Sequence, residues 1–222
     1  MKKLIIITVS ILSAISCETD DAFPQIENIT SGGKWTLQIG SSHLEVYSQL
    51  QELGLEKNFD DVAIVYRQPY SNPAEIESDL SLYRSITLEA PSGRVERVLI
   101  QFDQEKVTSI EKGGALLDVI PKWPESEPDE TAIQLNDPLA DIPAKLITIY
   151  QNPIYENYKI ILSNKWLEKS YDQDMDNYDE WAFTFSEDIS SQRVGLSSVH
   201  LFFKSEKLSK IRHEYNEVDI VN

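Results

Sequence analysis

Cysteine is almost absent from this sequence: Cys17 is the only one. A chain with one thiol has no internal disulfide framework, so a packed core must hold it together. Histidine is scarce as well. His43, His200 and His213 are spread along the chain, none with a second histidine at metal-ligand spacing, and there is no HExxH. Positive charge is thin, with 20 Lys and Arg against 37 Asp and Glu, a formal charge of −17. Nucleic acid is thereby a poor partner, because phosphates need Lys and Arg to displace their counterions. An anionic lipid surface would repel such a chain. Only eight glycines occur, and no phosphate-cradling loop, dinucleotide fingerprint or GxSxG elbow is among them. No apolar run exceeds about a dozen residues, which is too short to span a bilayer comfortably. What is present, 41% hydrophobic and 9% aromatic residues over 222 positions, suffices for one large domain or two small ones.

The cysteine has a telling place. Residues 1–16 read MKKLIIITVSILSAIS: two lysines, an apolar run from Leu4 to Ile15, then small residues ahead of Cys17. The segment Ala14-Ile15-Ser16-Cys17 resembles the lipobox of bacterial lipoproteins. That resemblance implies cleavage before Cys17, coupling of its thiol to diacylglycerol and acylation of the new amine. Several acyl chains anchor stably where one does not. Loss of Lys2 and Lys3 takes the charge from −17 to −19. Glu18, Asp20 and Asp21 follow at once. An acidic cluster there resembles the surface-export signal of some Gram-negative lipoproteins and also reads as a solvated tether. The expected location is the outer membrane, facing the cell surface rather than the periplasm. Residues 17–34, with Pro24, Ser31 and the pair Gly32-Gly33, read as a flexible acidic tether.

Beyond the tether the chain repeats itself. VLIQFDQEKVTSIE from Val98 aligns without a gap with VHLFFKSEKLSKIR from Val199. Ile100 and Phe102 match Leu201 and Phe203, and Val107 and Ile110 match Leu208 and Ile211. Each segment reads as strand, tight turn at the Glu-Lys corner, strand, with apolar alternation on one face. Upstream, VAIVYRQ from Val62 matches YKIILSN from Tyr158, and RSITLEA from Arg84 matches WAFTFSE from Trp181. A helix is predicted ahead of each set. In the first, Leu44, Val46, Leu50 and Leu53 form a face, Ser41 or Ser42 caps the start and Gly54 the end. In the second, Leu139, Ile142, Leu146 and Ile149 form the face, with Pro143 tolerated in the first turn.

The expected fold is therefore α+β, with two tandem units, each a helix plus a four-stranded antiparallel sheet packed against that helix. They span residues 35–119 and 139–222, joined by a Pro- and acid-rich linker at 120–138. The motifs that carry a family likeness are Gly40, Ser41, Val46, Leu50, Leu53 and Gly54, then Ile100, Phe102, Lys106, Val107 and Ile110. This pattern resembles the SmpA/OmlA outer-membrane lipoproteins, and its doubling resembles the β-lactamase inhibitory protein fold. The second unit departs from it, having Tyr150-Gln151 where the first has Leu53-Gly54. The resemblance implies a non-catalytic protein-binding module, of envelope-assembly or inhibitor type.

No nucleophile–base pair or cofactor motif marks an enzyme, and no cofactor is expected. Nothing singles out two of the 37 acids for hydrolysis. Asp172, Asp174 and Asp176 have the alternate spacing of a calcium loop, but Asn177 stands where a sharp-turn glycine belongs and Phe183 where a bidentate acid belongs. The other reading of this stretch is a solvated acidic loop. Around it lie Trp166, Tyr171, Tyr178 and Trp181, which fit either a stacking or anchoring surface or strand-end core. Two functions follow. The first is a lipid-anchored module gripping a protein partner, with its acidity favouring a basic one. The alternative is a surface lipoprotein that binds glycan through those four aromatics.

Overall fold

The computed structural model describes residues 23–91, 96–114 and 116–220, except the side chain of residue 117. The signal segment, Cys17 and the acids after it lie outside these residues. The chain forms strand β1 (Gln25–Ile29), helix α1 (His43–Lys57), strands β2 (Asp61–Ile64), β3 (Ser85–Glu89), β4 (Arg97–Asp103), β5 (Lys106–Gly113) and β6 (Leu117–Val119), helix α2 (Ile142–Ile149), then strands β7 (Lys159–Leu162), β8 (Asn164–Trp166), β9 (Glu180–Ser190), β10 (Arg193–Lys204) and β11 (Lys207–Asp219).

Helix α1 starts where the capping signal predicts. Ser42 Oγ accepts from the Glu45 amide, and the Glu45 carboxylate takes the Ser42 amide at 2.7 Å, a reciprocal box that satisfies two free helix-end donors. The helix does not end at Gly54. It runs to Lys57, and Asn58, in the left-handed conformation at φ 58°, closes it. Gly54 is required for another reason: a Cβ there would sit 2.6 Å from the Phe59 carbonyl oxygen. The buried stripe is His43, Val46, Tyr47, Leu50, Leu53 and Gly54, so Leu44 falls on the solvent side, 55% exposed. Helix α2 has Pro143 in its first turn and buries Ile142, Leu146 and Ile149.

The expectation of two helix-plus-sheet units is overturned by the strand pairing. A six-stranded sheet runs β1-β11-β10-β9-β2-β8 and a five-stranded sheet runs β7-β3-β4-β5-β6, all antiparallel. Strand β2, from the first half, pairs with β9, Trp181 opposite Ile64. Strand β7, from the second half, pairs with β3 over four residues. The helices cross over too. Gly40 and Ser41, just before α1, bond to Leu208 on β11, while Val107 on β5 bonds to Asp137 just before α2. Each half thus gives strands to the other and docks its hairpin beside the other's helix. Alternation in sequence fixes which face of a strand is buried, but not which strand lies beside it. The result is a single core cluster that draws on both halves.

Residues 159–166 form the seam. β7 belongs to one sheet and β8 to the other, and between them Ser163 accepts from the Ile64 amide at 3.0 Å. The Arg84 amide donates to Asn164 at 2.7 Å and Tyr83 bridges to Lys165. Two segments read as extended connectors are built into the body. In the expected tether, β1 pairs along its whole length with β11, Gln25 opposite Tyr215 and Ile29 opposite Ile211. In the expected linker, Trp123 is buried against Tyr155 and Tyr158, with ring centroids at 5.3 and 5.7 Å.

Candidate functional site

The six-stranded sheet buries one face and leaves the other open. Alternation along β9 turns Trp181, Phe183 and Phe185 inward. On the other face lie Ala182 and Thr184, with Ser198 and His200 of β10 and Arg212 and Glu214 of β11 beside them, half-buried or exposed. Neither helix covers this face: α1 lies on the inner one, its His43 ring stacked on Phe203 at 3.9 Å and 5.3 Å from Trp181.

At the seam the open face meets a trough. One part, about 680 Å³, is lined by Asp60, Asp61, Arg84, Thr184, Leu196 and Glu214. The other, about 530 Å³, lies between the end of α1 and the β4–β5 turn, walled by Leu55, Phe59, Phe102, Leu139 and Trp166. Phe59 and Asp60 belong to both. Arg84 lies across the junction, 2.6 Å from Asp60, 2.8 Å from Asp61 and 4.9 Å above the Trp166 ring. Leu55, 90% exposed, stands on the rim. The walls carry six carboxylates (Asp60, Asp61, Asp103, Glu105, Glu168 and Glu214) against two cations, Arg84 and Lys169.

The four aromatic candidates do not share an exposed surface. Trp181 is fully buried. Tyr171 is half-buried and its hydroxyl bonds Asp176. The Tyr178 hydroxyl accepts from the Gln68 amide at 3.2 Å. Trp166 forms part of the trough wall, while Tyr178 lines a separate cavity with Tyr66, Gln68 and Phe202. The three aspartates of the calcium-like spacing are taken up by partners within the protein, Asp172 and Asp174 sharing Arg67. Asp174 takes Arg67 Nη2 at 2.8 Å, Asp172 takes the Tyr83 hydroxyl and caps a short turn, and Asp176 takes Tyr171. A guanidinium thus stands where an ion would need carboxylates to converge, and among the described residues no three His, Cys, Asp or Glu groups are placed to hold a metal.

Sequence reasoning missed a buried polar cluster behind the seam. The Arg67 side chain is fully enclosed, with its guanidinium 4.5 Å above the Tyr83 ring. Lys165, also fully buried, donates to the Tyr47 hydroxyl and the Trp166 carbonyl, both at 2.9 Å. Burial lowers its pKa to about 8, against the opposing pull of Asp172. Burial likewise pushes the Tyr83 and Tyr47 hydroxyls up. A low-pKa amine is a common catalytic device, but this one has no exposed surface and is bonded within the protein. Burial also lowers the pKa of His43, against Asp176.

Among known proteins, no family model, no curated protein and no solved structure matches this chain.

Proposed function

We propose that this chain is a lipid-anchored, non-catalytic binding module that seats a protein partner in the trough at the seam of its two sheets. The observation that carries this reading is the open sheet face running into an acid-rimmed, apolar-walled trough with Leu55 on its rim. Apolar anchors ringed by charge are the pattern of protein interfaces. The excess of carboxylates favours a basic partner and faster encounter at low salt. The glycan alternative has less support, because Trp181 is buried and the Tyr171 and Tyr178 hydroxyls are bonded within the protein.

The test is crosslinking in intact cells, then titration of the captured protein with the purified chain. Leu55→Arg should weaken binding by about tenfold or more, as a charge placed on an apolar contact would, and Thr148→Arg on the exposed side of α2 should leave it unchanged. Equal affinity of the Leu55→Arg and Thr148→Arg variants would exclude the trough as the interface.

A further inference from the structure

Among the described residues the second hairpin is the longest. β9, β10 and β11 run 11, 12 and 13 residues, and their far end extends past Phe185, the last buried residue of β9. This arm, formed by residues 186–196 and 215–220, meets the end of α1 at its base, through Lys57 and Glu187, and carries several exposed apolar side chains. Ile189, Leu196, Val218 and Ile220 are each between 43% and 46% exposed. Val194 sits opposite Val218, with Leu196 one pair further along on the same face. Single exposed apolar residues need no explanation, whereas a contiguous group does. The arm's four acids, Glu187, Asp188, Glu217 and Asp219, are offset by two cations: Arg193 pairs with Glu217 at 3.0 Å and Asp219 at 3.3 Å, and Lys57 pairs with Glu187 at 2.9 Å.

The chain enters the fold at this same end. β1 begins opposite Tyr215, and the Phe23 ring packs edge-on against Tyr215 at 5.9 Å. The six residues from Phe23 back to Cys17 reach at most about 20 Å. From the level of Tyr215 to Ile220 the arm extends roughly 17 Å, at the rise of a strand. A lipid on Cys17 would therefore hold the arm within reach of the bilayer.

We infer that the distal end of the β9–β10–β11 arm rests on the bilayer that carries the anchor, its apolar side chains in contact with zwitterionic lipid; this rests on the reading that Cys17 is lipidated. The contact sets the body's orientation. With the arm on the lipid, the β10–β11 turn and the start of α1 docked beside it point away from the membrane, because β10 leads from the arm to its turn.

The test uses the full chain purified from cells in phosphatidylcholine vesicles, with hydroxyl-radical oxidation of side chains read by mass spectrometry. Oxidation at Leu196, Val218 and Ile220 should fall several-fold relative to Leu55 in the same molecules. A Cys17→Ser chain, free beside the same vesicles, should lose this protection. Leu196→Asp combined with Val218→Asp should abolish it at Ile220 while circular dichroism stays unchanged. Equal oxidation in the anchored and free chains would overturn the proposal and leave the anchor intact. A Cys17 peptide of unmodified mass would overturn the anchoring reading and the proposal with it. Protection that rises with concentration in the absence of vesicles would assign the arm to a second copy of the chain and also overturn it.

Discussion

The β4–β5 and β10–β11 hairpins are built alike at one end and unlike at the other. Both turn on two residues with positive φ, Gln104-Glu105 and Ser205-Glu206, at 47° to 63°, the conformation whose twist suits a two-residue hairpin. Both shift register at the same place, between Gln101 and Phe102 and between Phe202 and Phe203. Both use a hydroxyl across that bulge, Thr108 to the Gln101 carbonyl and Ser209 to Phe202. Beyond the matched portion the second hairpin continues as the arm, whereas the first stops at Gly113. The shared end docks beside a helix start contributed by the other half, so it is constrained by packing. The free end meets α1 and Phe23 at its base, through Glu187 and Tyr215, and its apolar side chains are exposed beyond that, open to a different use. What differs between the hairpins is therefore where a surface function is to be sought.

The sharpest way to break the equivalence of the halves is to disturb the charges on the exchanged segments. Arg67 follows β2, the strand given by the first half, and it neutralises Asp172 and Asp174 of the second. Arg67→Ala leaves Asp172 largely enclosed without its cation and should cost about 3–5 kcal/mol, measured by urea unfolding. A loss under about 1 kcal/mol would mean the ion pair does not help to hold the crossing. Next in size, Ile100→Ala and Leu201→Ala remove matched, fully buried side chains and should each cost about 2–5 kcal/mol. Because the core is shared, both should move one common unfolding transition. Two transitions, each sensitive to one substitution, would show that the halves unfold separately.

Much of this was legible beforehand, within a limit that particular residues make clear. Apolar alternation located both hairpins, and the pair Ser41-Ser42 marked the start of α1. The exchange was not legible, since Val62 and Ile64 bury the same face whichever sheet receives β2. The stripe on α1 was misread at Leu44 because the buried positions include His43 and Tyr47, which hydrophobicity alone discounts. Lys165 was hidden by a change of phase. Ile160 and Leu162 are buried in alternation, which would point Asn164 inward, but the segment leaves one sheet for the other at Ser163, and the inward positions become Lys165 and Leu167. The trough could not be found from any local pattern, as its walls come from α1, the β4–β5 turn, β8 and β9 together.

Lys165 gives a test of the seam by pH. Its pKa falls from an ordinary 10.5 to about 8 in the folded protein. Between those values the unfolded chain binds more protons, so stability rises with pH through the window and the full penalty applies below pH 8. From pH 7 to 9.5 the wild type should gain roughly 2 kcal/mol relative to Lys165→Met, in paired urea titrations. Parallel curves for the two proteins would place the amine in contact with water.

The smallest expected effect sharpens the comparison most. Left-handed backbone disfavours residues with a Cβ, and glycine relieves that strain while adding entropy to the unfolded chain. Glu105→Gly and Glu206→Gly should each stabilise by a few tenths to about 1 kcal/mol. The backbone bonds beside the turns, Leu139 to the Glu105 carbonyl and Leu208 to the Ser41 carbonyl, do not depend on either side chain. If the hairpins are one device used twice, the two gains should agree within about 0.3 kcal/mol and add in the double variant. Unequal gains would locate a difference at the turn itself and not only in the arm, most directly through Glu206, whose carboxylate opposes the lowering of the His43 pKa and has no counterpart beside α2.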